Sequence, residues 1–187
     1  MTKSTRDAVT ECFASGRFEE GMKLFKEEEA DLPEPVRFEC LGNFYFYRRE
    51  LQEAIKQYEA AITLSPDYLI ARYQYIVGVQ EERQGNFVDA FKRYQNAIEI
   101  EPVFVDSYVE LGGLLGKIGD FKGAAQCYRD ASKLEPNNLG SLHNLKTVLV
   151  KLAAKDPEQY GSELASVELA YERLAKSGKK LPQRHQW

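Results

Sequence analysis

Hydrophobic positions recur at helical spacing along this chain, most clearly in AIKQYEAAITLSP at residues 54–66. Spacings of four and three residues place Ala54, Tyr58 and Ala61 on one face of a helix, and Pro66 follows the run. The two small residues admit a neighbouring helix closely, while the ring fills the space between the helices. The pattern therefore predicts a helix that buries one stripe against a neighbour.

The same pattern returns twice further along the chain. It reads AFKRYQNAIEIEP from Ala90 and AAQCYRDASKLEP from Ala124, so the offsets are 90 − 54 = 36 and 124 − 90 = 34 residues. A weaker copy starts at Gly21, which precedes Ala54 by 54 − 21 = 33 residues. A repeat period of about 34 residues indicates an array of similar structural units.

Each of these helices follows another helical run, so the repeating unit is a pair of helices. Three first helices end at a Gly-x-aromatic turn, at Gly16, Gly85 and Gly119. In a fourth, divergent turn, Arg49 takes the place of the glycine. The predicted first helices span 4–14, 35–48, 68–84, 104–117 and 138–153. The predicted second helices span 18–30, 51–64, 87–100, 121–134 and 157–176.

These residues resemble the tetratricopeptide repeat, whose signature is Trp-x-x-Leu-Gly-x-x-Tyr, then Ala-x-x-x-Phe, then Pro. The first-helix half is matched by Phe38, Leu41, Gly42 and Tyr45 in the second repeat and by Tyr108, Leu111, Gly112 and Leu115 in the fourth. The resemblance implies an all-α fold, a right-handed α-α superhelix of about five helix pairs. We expect one domain over residues 1–176, with repeats at about 2–34, 35–70, 71–104, 105–138 and 139–176, and a basic tail at 177–187.

Two units depart from the pattern. In the third repeat, Val77-Gly78 matches Leu-Gly when counted from the following turn but not when counted from Pro66, which leaves its register open. In the fifth, Asp156 and Pro157 predict a capped helix start and Gly178 a stop. That helix carries one apolar stripe, which predicts that it caps the end of the stack. The stripe consists of Tyr160, Leu164, Val167, Tyr171 and Leu174.

Composition narrows the function classes. The chain has 187 residues and a net charge of −4, which disfavours nucleic acid as a partner, and no stretch reaches the ~20 apolar residues of a membrane span. Charged residues occupy the start where a signal peptide needs an apolar block, so we expect a cytoplasmic protein. The odd number of cysteines, Cys12, Cys40 and Cys127, lacks metal-ligand spacing and indicates reduced thiols.

Candidate catalytic chemistry is sparse. The two histidines, His143 and His185, have no neighbouring arrangement that indicates a triad or a metal site, and no Gly-rich phosphate loop follows a strand. We therefore predict no enzyme activity, no cofactor and no metal.

In tetratricopeptide proteins the first helices line a concave groove that holds a peptide or a partner's helix, and the resemblance assigns groove residues here. They are Glu39, Cys40, Asn43, Phe46 and Tyr47 in the second repeat, Asp106, Val109, Glu110, Gly113 and Lys117 in the fourth, and His143, Asn144, Thr147 and Lys151 in the fifth. The third contributes Tyr73, Gln74 and Val77 in one register, or Arg72, Tyr75, Ile76 and Arg83 in the other.

The sequence FYFY at residues 44–47 places four rings in succession, and these cannot all be buried on one side of a helix. Tyr45 is the packing aromatic of the motif. We therefore expect Phe46 and Tyr47 to face a partner.

The family's carboxylate clamp, in which cations and asparagines hold a chaperone's C-terminal acid, does not fit this chain. Asn43 suits it, but Glu39 stands where a lysine is needed, and Asp106 and Glu110 stand where a lysine and an arginine are needed. Ile76 or Gln74 occupies the place of the second asparagine, depending on the register. These carboxylates would repel an acidic chain end.

We therefore predict an adaptor whose groove, aromatic in the second and third repeats and acidic in the fourth, binds a basic, partly apolar protein segment. Alternatives are a secretion-type chaperone for an exported protein and a self-assembling structural scaffold. The tail SGKKLPQRHQW at 177–187 matches the predicted ligand, because it is basic and ends in Trp187. It is either a disordered solubilising end or a segment that docks in a groove, its own or a neighbour's, which would give a homo-oligomer.

Overall fold

The computed structural model of the chain describes residues 5–66 and 70–177. Over these residues it contains ten α-helices, one short 3-10 helix at Glu29–Asp31 and no strand. The helices are α1 Thr5–Ala14, α2 Phe18–Glu28, α3 Glu34–Tyr47, α4 Leu51–Leu64, α5 Ala71–Arg83, α6 Phe87–Ile100, α7 Val105–Lys117, α8 Phe121–Leu134, α9 Leu139–Ala153 and α10 Pro157–Lys176. The predicted alternation of first and second helices is confirmed, with boundaries shifted by a few residues.

The helices fall into two compact units, Met1–Ile76 and Val77–Trp187, and the division lies within α5. In the first unit, α1 packs on α2 and α3, and α3 packs on α4. In the second, α6 packs on α7, α7 on α8, α8 on α9, and α9 on α10. The single domain expected over residues 1–176 stays a prediction.

A glycine in the first helix and a tyrosine in the second fix each central helix pair. A Cβ atom added at Gly112 would lie 2.8 Å from Cε1 of Tyr128, and one added at Gly78 would lie 2.8 Å from Cε1 of Tyr94. Gly42 meets Tyr58 in the same way. Because only a glycine lets the ring approach so closely, the contact at Gly78 resolves the register of the third repeat: Val77-Gly78 stands in the Leu-Gly place.

The turns between first and second helices need a left-handed residue. Gly16, Gly85 and Gly119 have φ values of 75°, 84° and 89°, and Arg49 adopts φ 66° at the equivalent place. A side chain in this region costs roughly 1–2 kcal/mol, so glycine is the favoured residue there. The Gly-x-aromatic turns read from the sequence are therefore real turns, and the divergent turn keeps the same backbone.

Helix α10 begins as predicted, because the Asp156 side chain accepts a hydrogen bond of 3.0 Å from the Gln159 backbone N–H and Pro157 occupies the first turn. In the apolar stripe of α10, Tyr160 is buried and the other four residues are half-buried. Arg129 on α8 holds α10 through two bonds to Glu163, Nε to Oε1 at 2.6 Å and Nη2 to Oε2 at 2.8 Å. The predicted stop at Gly178 and the remainder of the basic tail, with Trp187, lie outside the described residues.

We expect Gly112→Ala to destabilise the protein by roughly 1 kcal/mol or more. The added methyl group meets a Tyr128 ring that is only 4% exposed and cannot swing away, and this overpacking outweighs the helix propensity that alanine gains. Gly116→Ala on the same helix is the matched control, because its Cβ would meet nothing within 4 Å, and it should be neutral or stabilising. Urea unfolding measures both; equal effects of the two substitutions would contradict the account.

The link between Arg129 and Glu163 predicts a pH-dependent contribution to stability. The hydrogen bond from Arg129 lowers the pKa of Glu163 below its usual range, so the contribution is present above the unfolded pKa and is lost as the pH falls through the lowered folded value. We expect Glu163→Gln to lower stability by about 1 kcal/mol near neutral pH, since the pair is bidentate but partly exposed. The difference between the variant and the parent should begin to shrink as the pH falls below the unfolded value of about 4.3 and should disappear below the folded pKa.

Glu172→Gln is the control for that measurement. Its partner Lys176 lies 3.7 Å away and both side chains are largely exposed, so its effect should be much smaller at every pH. Denaturant unfolding between pH 3 and pH 7 separates the two cases. A loss in Glu163→Gln that persists unchanged at pH 3 would show that the ion pair is not its source.

Candidate functional site

In the first unit, Asn43 on α3 is 1% exposed and joins three helices. Its Oδ1 accepts a bond of 2.7 Å from the Tyr58 hydroxyl on α4, and its Nδ2 donates to Oγ1 of Thr10 on α1 at 3.1 Å. Both ends of the amide are thus used inside the protein. Glu39, one turn earlier, is also buried, and its Oε2 lies 3.7 Å from the Arg6 guanidinium.

The aromatic run on α3 divides between core and surface. Phe46 is 4% exposed and packs edge-on against Tyr75, which is 1% exposed, with ring centroids 6.0 Å apart. Phe44 packs on the rings of Phe13 and Phe18. Of the two rings expected to face a partner, the structure therefore places Phe46 in the interior, because α5 supplies Tyr75 as its packing neighbour.

Tyr47 is half-buried and keeps one side accessible. Its hydroxyl accepts a bond of 3.1 Å from Nη2 of Arg72, and the guanidinium lies 5.7 Å from the ring centroid. This arrangement combines a hydrogen bond with a cation–π contact. Among the groove candidates of the second repeat, Tyr47 is therefore the aromatic residue whose ring is partly exposed.

In the second unit, Asp106, Val109, Glu110 and Gly113 are half-buried along α7, and Lys117 at its end is exposed. Two carboxylates thus lie near an apolar side chain, and a glycine follows on the next turn. We call this surface of α7 the α7 face. Its residues stay at least partly exposed over successive turns of the helix.

The groove candidates on α9 are mostly exposed. His143 is exposed, and its ring centroid lies 5.7 Å from that of Tyr171. Asn144 is half-buried, while the exposed Thr147 donates its hydroxyl to the His143 carbonyl within its own helix at 2.9 Å. Lys151 lies over the Phe121 ring, with Nζ 4.6 Å from the centroid. Of these side chains, His143 borders α10 and Lys151 borders α8.

Glu82 on α5 is a candidate that the sequence analysis missed. Its side chain is only 10% exposed, its Oε2 accepts a bond of 2.9 Å from the Tyr94 hydroxyl, and its Oε1 accepts a bond from Nζ of Lys117. It stands three residues before the left-handed turn residue Gly85, as Phe46 does before Arg49. Counting back from the turn was the signal that could have found it.

The cysteines offer little nucleophilic chemistry. Burial raises the pKa of Cys40 to about 12, and burial also raises the pKa of Cys127 to about 11, with nearby carboxylates adding to the effect. Both thiols are therefore protonated near neutral pH. Cys12, Cys40 and Cys127 are all free.

Neither a metal site nor a membrane span is found in residues 5–66 and 70–177. No three or more His, Cys, Asp or Glu side chains in these ranges gather so that they could hold an ion. None of the helices there is both long and apolar enough to cross a bilayer.

Comparison with known proteins identifies the architecture. The family model described as tetratricopeptide repeat matches residues 41–68 and 105–138. Among solved structures, a crystal structure of MamA superposes with a TM-score of 0.55 at 19% identity, covering 94% of this chain and 99% of that chain. A MamA RS-1 ArsTM double mutant gives 0.55 at 17% identity, covering 94% of each. These structures share the fold, an all-α array of helix pairs, and the chain contains tetratricopeptide repeats at the two matched segments.

Two curated relatives are much longer proteins. The chain is 26% identical over 155 residues to a BBSome complex member BBS4 homolog from Drosophila melanogaster, covering 80% of this chain and 31% of the relative. It is 23% identical over 111 residues to the tetratricopeptide repeat-containing protein trd-1 from Caenorhabditis elegans, covering 59% of this chain and 14% of the relative. The chain thus spans a third or less of the curated relatives it matches.

We expect Asn43 to contribute to the stability of the folded protein. Asn43→Leu keeps most of the volume but removes both hydrogen bonds, leaving the Thr10 and Tyr58 hydroxyls without this buried partner, which should cost about 2 kcal/mol. Tyr58→Phe should cost about 1 kcal/mol, and the double variant should cost less than the sum because the two residues share a bond. Urea unfolding of the parent, the two single variants and the double variant gives the coupling energy between the two residues. If the two losses simply add, the hydrogen bond between Tyr58 and Asn43 does not contribute as described.

Proposed function

We propose that this chain is a non-catalytic adaptor that binds a basic, partly apolar protein segment along the accessible faces of its first helices. The tetratricopeptide fold is a protein-interaction scaffold in general. The α7 face supports the proposal further. Asp106 and Glu110 supply negative charge near Val109, and Gly113 on the next turn carries no side chain. A segment with cations spaced around an apolar residue complements that surface.

Tyr47 is the proposed aromatic contact of the first unit. Its half-buried ring is fixed by Arg72, so a partner meets a surface that is already ordered and loses little side-chain entropy there. Tyrosine is also one of the residue types that dominate binding energy in protein interfaces. His143 and Asn144 on α9 remain proposed contacts in the second unit.

A non-catalytic, cytoplasmic role belongs to the same proposal. The raised pKa values of Cys40 and Cys127 leave these thiols poor nucleophiles, and the free cysteines suit a reducing compartment. A chaperone for an exported protein and a self-assembling scaffold are the alternatives. Sizing the purified protein over a hundredfold dilution distinguishes them, since a scaffold assembles alone and a chaperone needs its cargo.

The test is binding by surface variants that fold normally. Glu110→Lys reverses a charge on the α7 face and should reduce partner capture from the native cell by about fivefold or more, because like charges then face each other. Glu99→Lys makes the same charge change at an exposed position of the second helix α6 and serves as the matched control. Undiminished capture by Glu110→Lys, with melting unchanged, would overturn the α7 face as the binding surface.

Tyr47→Ala tests the first unit separately. We expect weaker capture by the alanine variant with nearly unchanged helical content and melting. Tyr47→Phe, which keeps the ring and removes only the bond to Arg72, should bind almost normally. If the two variants lose capture equally, the ring is not what the partner contacts.

A further inference from the structure

A single carboxylate in the second unit is held from two sides. Tyr94, from the second helix of its own pair, donates to Oε2 of Glu82 at 2.9 Å, and Lys117, from the next first helix, donates to Oε1. We propose that Lys117 is a displaceable occupant of a cation site formed by Glu82 and Tyr94, and that an arginine of the partner segment takes its place. This inference rests on the proposed function and names the side chain that the segment must carry.

The acceptor half of the site is built into the core. The Tyr94 ring is fully buried against Gly78, so its hydroxyl cannot follow a moving carboxylate. The Glu82 side chain is 10% exposed and has therefore lost most of its hydration. A carboxylate in such surroundings needs a cation, and its position is set before any partner arrives.

The donor half is held far more loosely. The Lys117 side chain is 63% exposed and extends from the last residue of α7, where it can return to water at small cost. Pairs with one exposed, flexible lysine contribute little to stability, because the gain in attraction is offset by lost side-chain entropy. Lys117 is therefore a cation that can leave the site easily, whereas the Glu82 carboxylate stays in place.

There is room beside the site for an incoming side chain. Gly116 directly precedes Lys117 and would meet nothing within 4 Å if it carried a Cβ, and Gly113 lies one turn earlier on the same helix. A segment lying on the α7 face can thus approach the backbone of α7 closely. Asp106 and Glu110 on earlier turns favour a positive segment in that position.

Arginine fits the site better than lysine does. Its planar guanidinium offers several donors in a fixed geometry and is more weakly hydrated than an ammonium group, so it enters a partly dehydrated carboxylate site at lower cost. The guanidinium can also donate to one oxygen of the Glu82 carboxylate while its flat face stacks on a neighbouring side chain. A partner arginine therefore replaces Lys117, and the released lysine returns to solvent.

The experiment uses the full chain and a defined probe. N-acetyl-arginine methylamide is titrated into the parent protein, Lys117→Met and Glu82→Gln while NMR shifts of the Tyr94 ring are followed; the neutral citrulline analogue is titrated in parallel. We expect Lys117→Met to bind the arginine probe about fivefold more tightly than the parent, because the competing cation is gone. Glu82→Gln and the citrulline analogue should give no saturable shift.

Lys133→Met is the matched control. Lys133 pairs with Asp130 at 2.7 Å within α8 and is 71% exposed, so it resembles Lys117 in exposure but borders no buried carboxylate of this kind. Its replacement should leave the affinity for the probe unchanged. Equal affinities in the parent and Lys117→Met, a saturable shift in Glu82→Gln, or the absence of any saturable shift in Lys117→Met would each overturn the inference.

Capture of the cellular partner separates this inference from the proposed function. If Glu110→Lys loses the partner while Glu82→Gln and Lys117→Met retain it at the parent level, the adaptor role stands and the displaced-lysine site fails. If Lys117→Met captures more partner and Glu82→Gln less, both hold. If all of these variants capture the partner as well as the parent does, both the proposed function and the displaced-lysine site are overturned.

Discussion

Contact between a first-helix glycine and a second-helix tyrosine is the constraint on which the central helix pairs depend. The ring lies against the position that a Cβ atom would occupy at Gly42, Gly78 and Gly112, so the two helices can approach closely at this point. The alanines one turn to either side of each tyrosine are fully buried, which keeps the second helix equally close over its length. Interiors packed to this density tolerate no added methyl group without strain.

The tyrosine hydroxyl extends this core contact toward the surface. The family signature has phenylalanine at this position, whereas Tyr58 donates to Asn43 and Tyr94 donates to Glu82. In the first unit the bond ends at a fully buried amide and locks three helices together. In the second it ends at a carboxylate whose other oxygen faces an exposed lysine. One core position thus serves packing in one unit and a charged surface in the other.

The two units consequently divide the predicted binding residues unequally. In the first, Glu39, Asn43 and Phe46 are drawn into the interior by Arg6, Thr10 and Tyr75. In the second, Gly113 and Gly116 on α7 stand at the places equivalent to Asn43 and Phe46, so no side chain is drawn inward there, and the nearby carboxylates Asp106 and Glu110 are half-buried. The same repeat position is therefore core where a neighbour supplies a partner side chain and surface where it does not.

By itself the sequence determined the helix pairs, their turns and the repeat pattern, because these follow from local rules: a spacing of three and four along one helix, a left-handed glycine, a proline after the helix. It also fixed the cap of α10 at Asp156, which depends on neighbours within four residues. Only the tertiary structure decided which candidates are reachable. Phe46 is buried because it packs on Tyr75, which lies 75 − 46 = 29 residues further along the chain. Glu82 forms an ion pair with Lys117, which lies 117 − 82 = 35 residues further along. Contacts of that range are set by how helices pack, which no local pattern encodes.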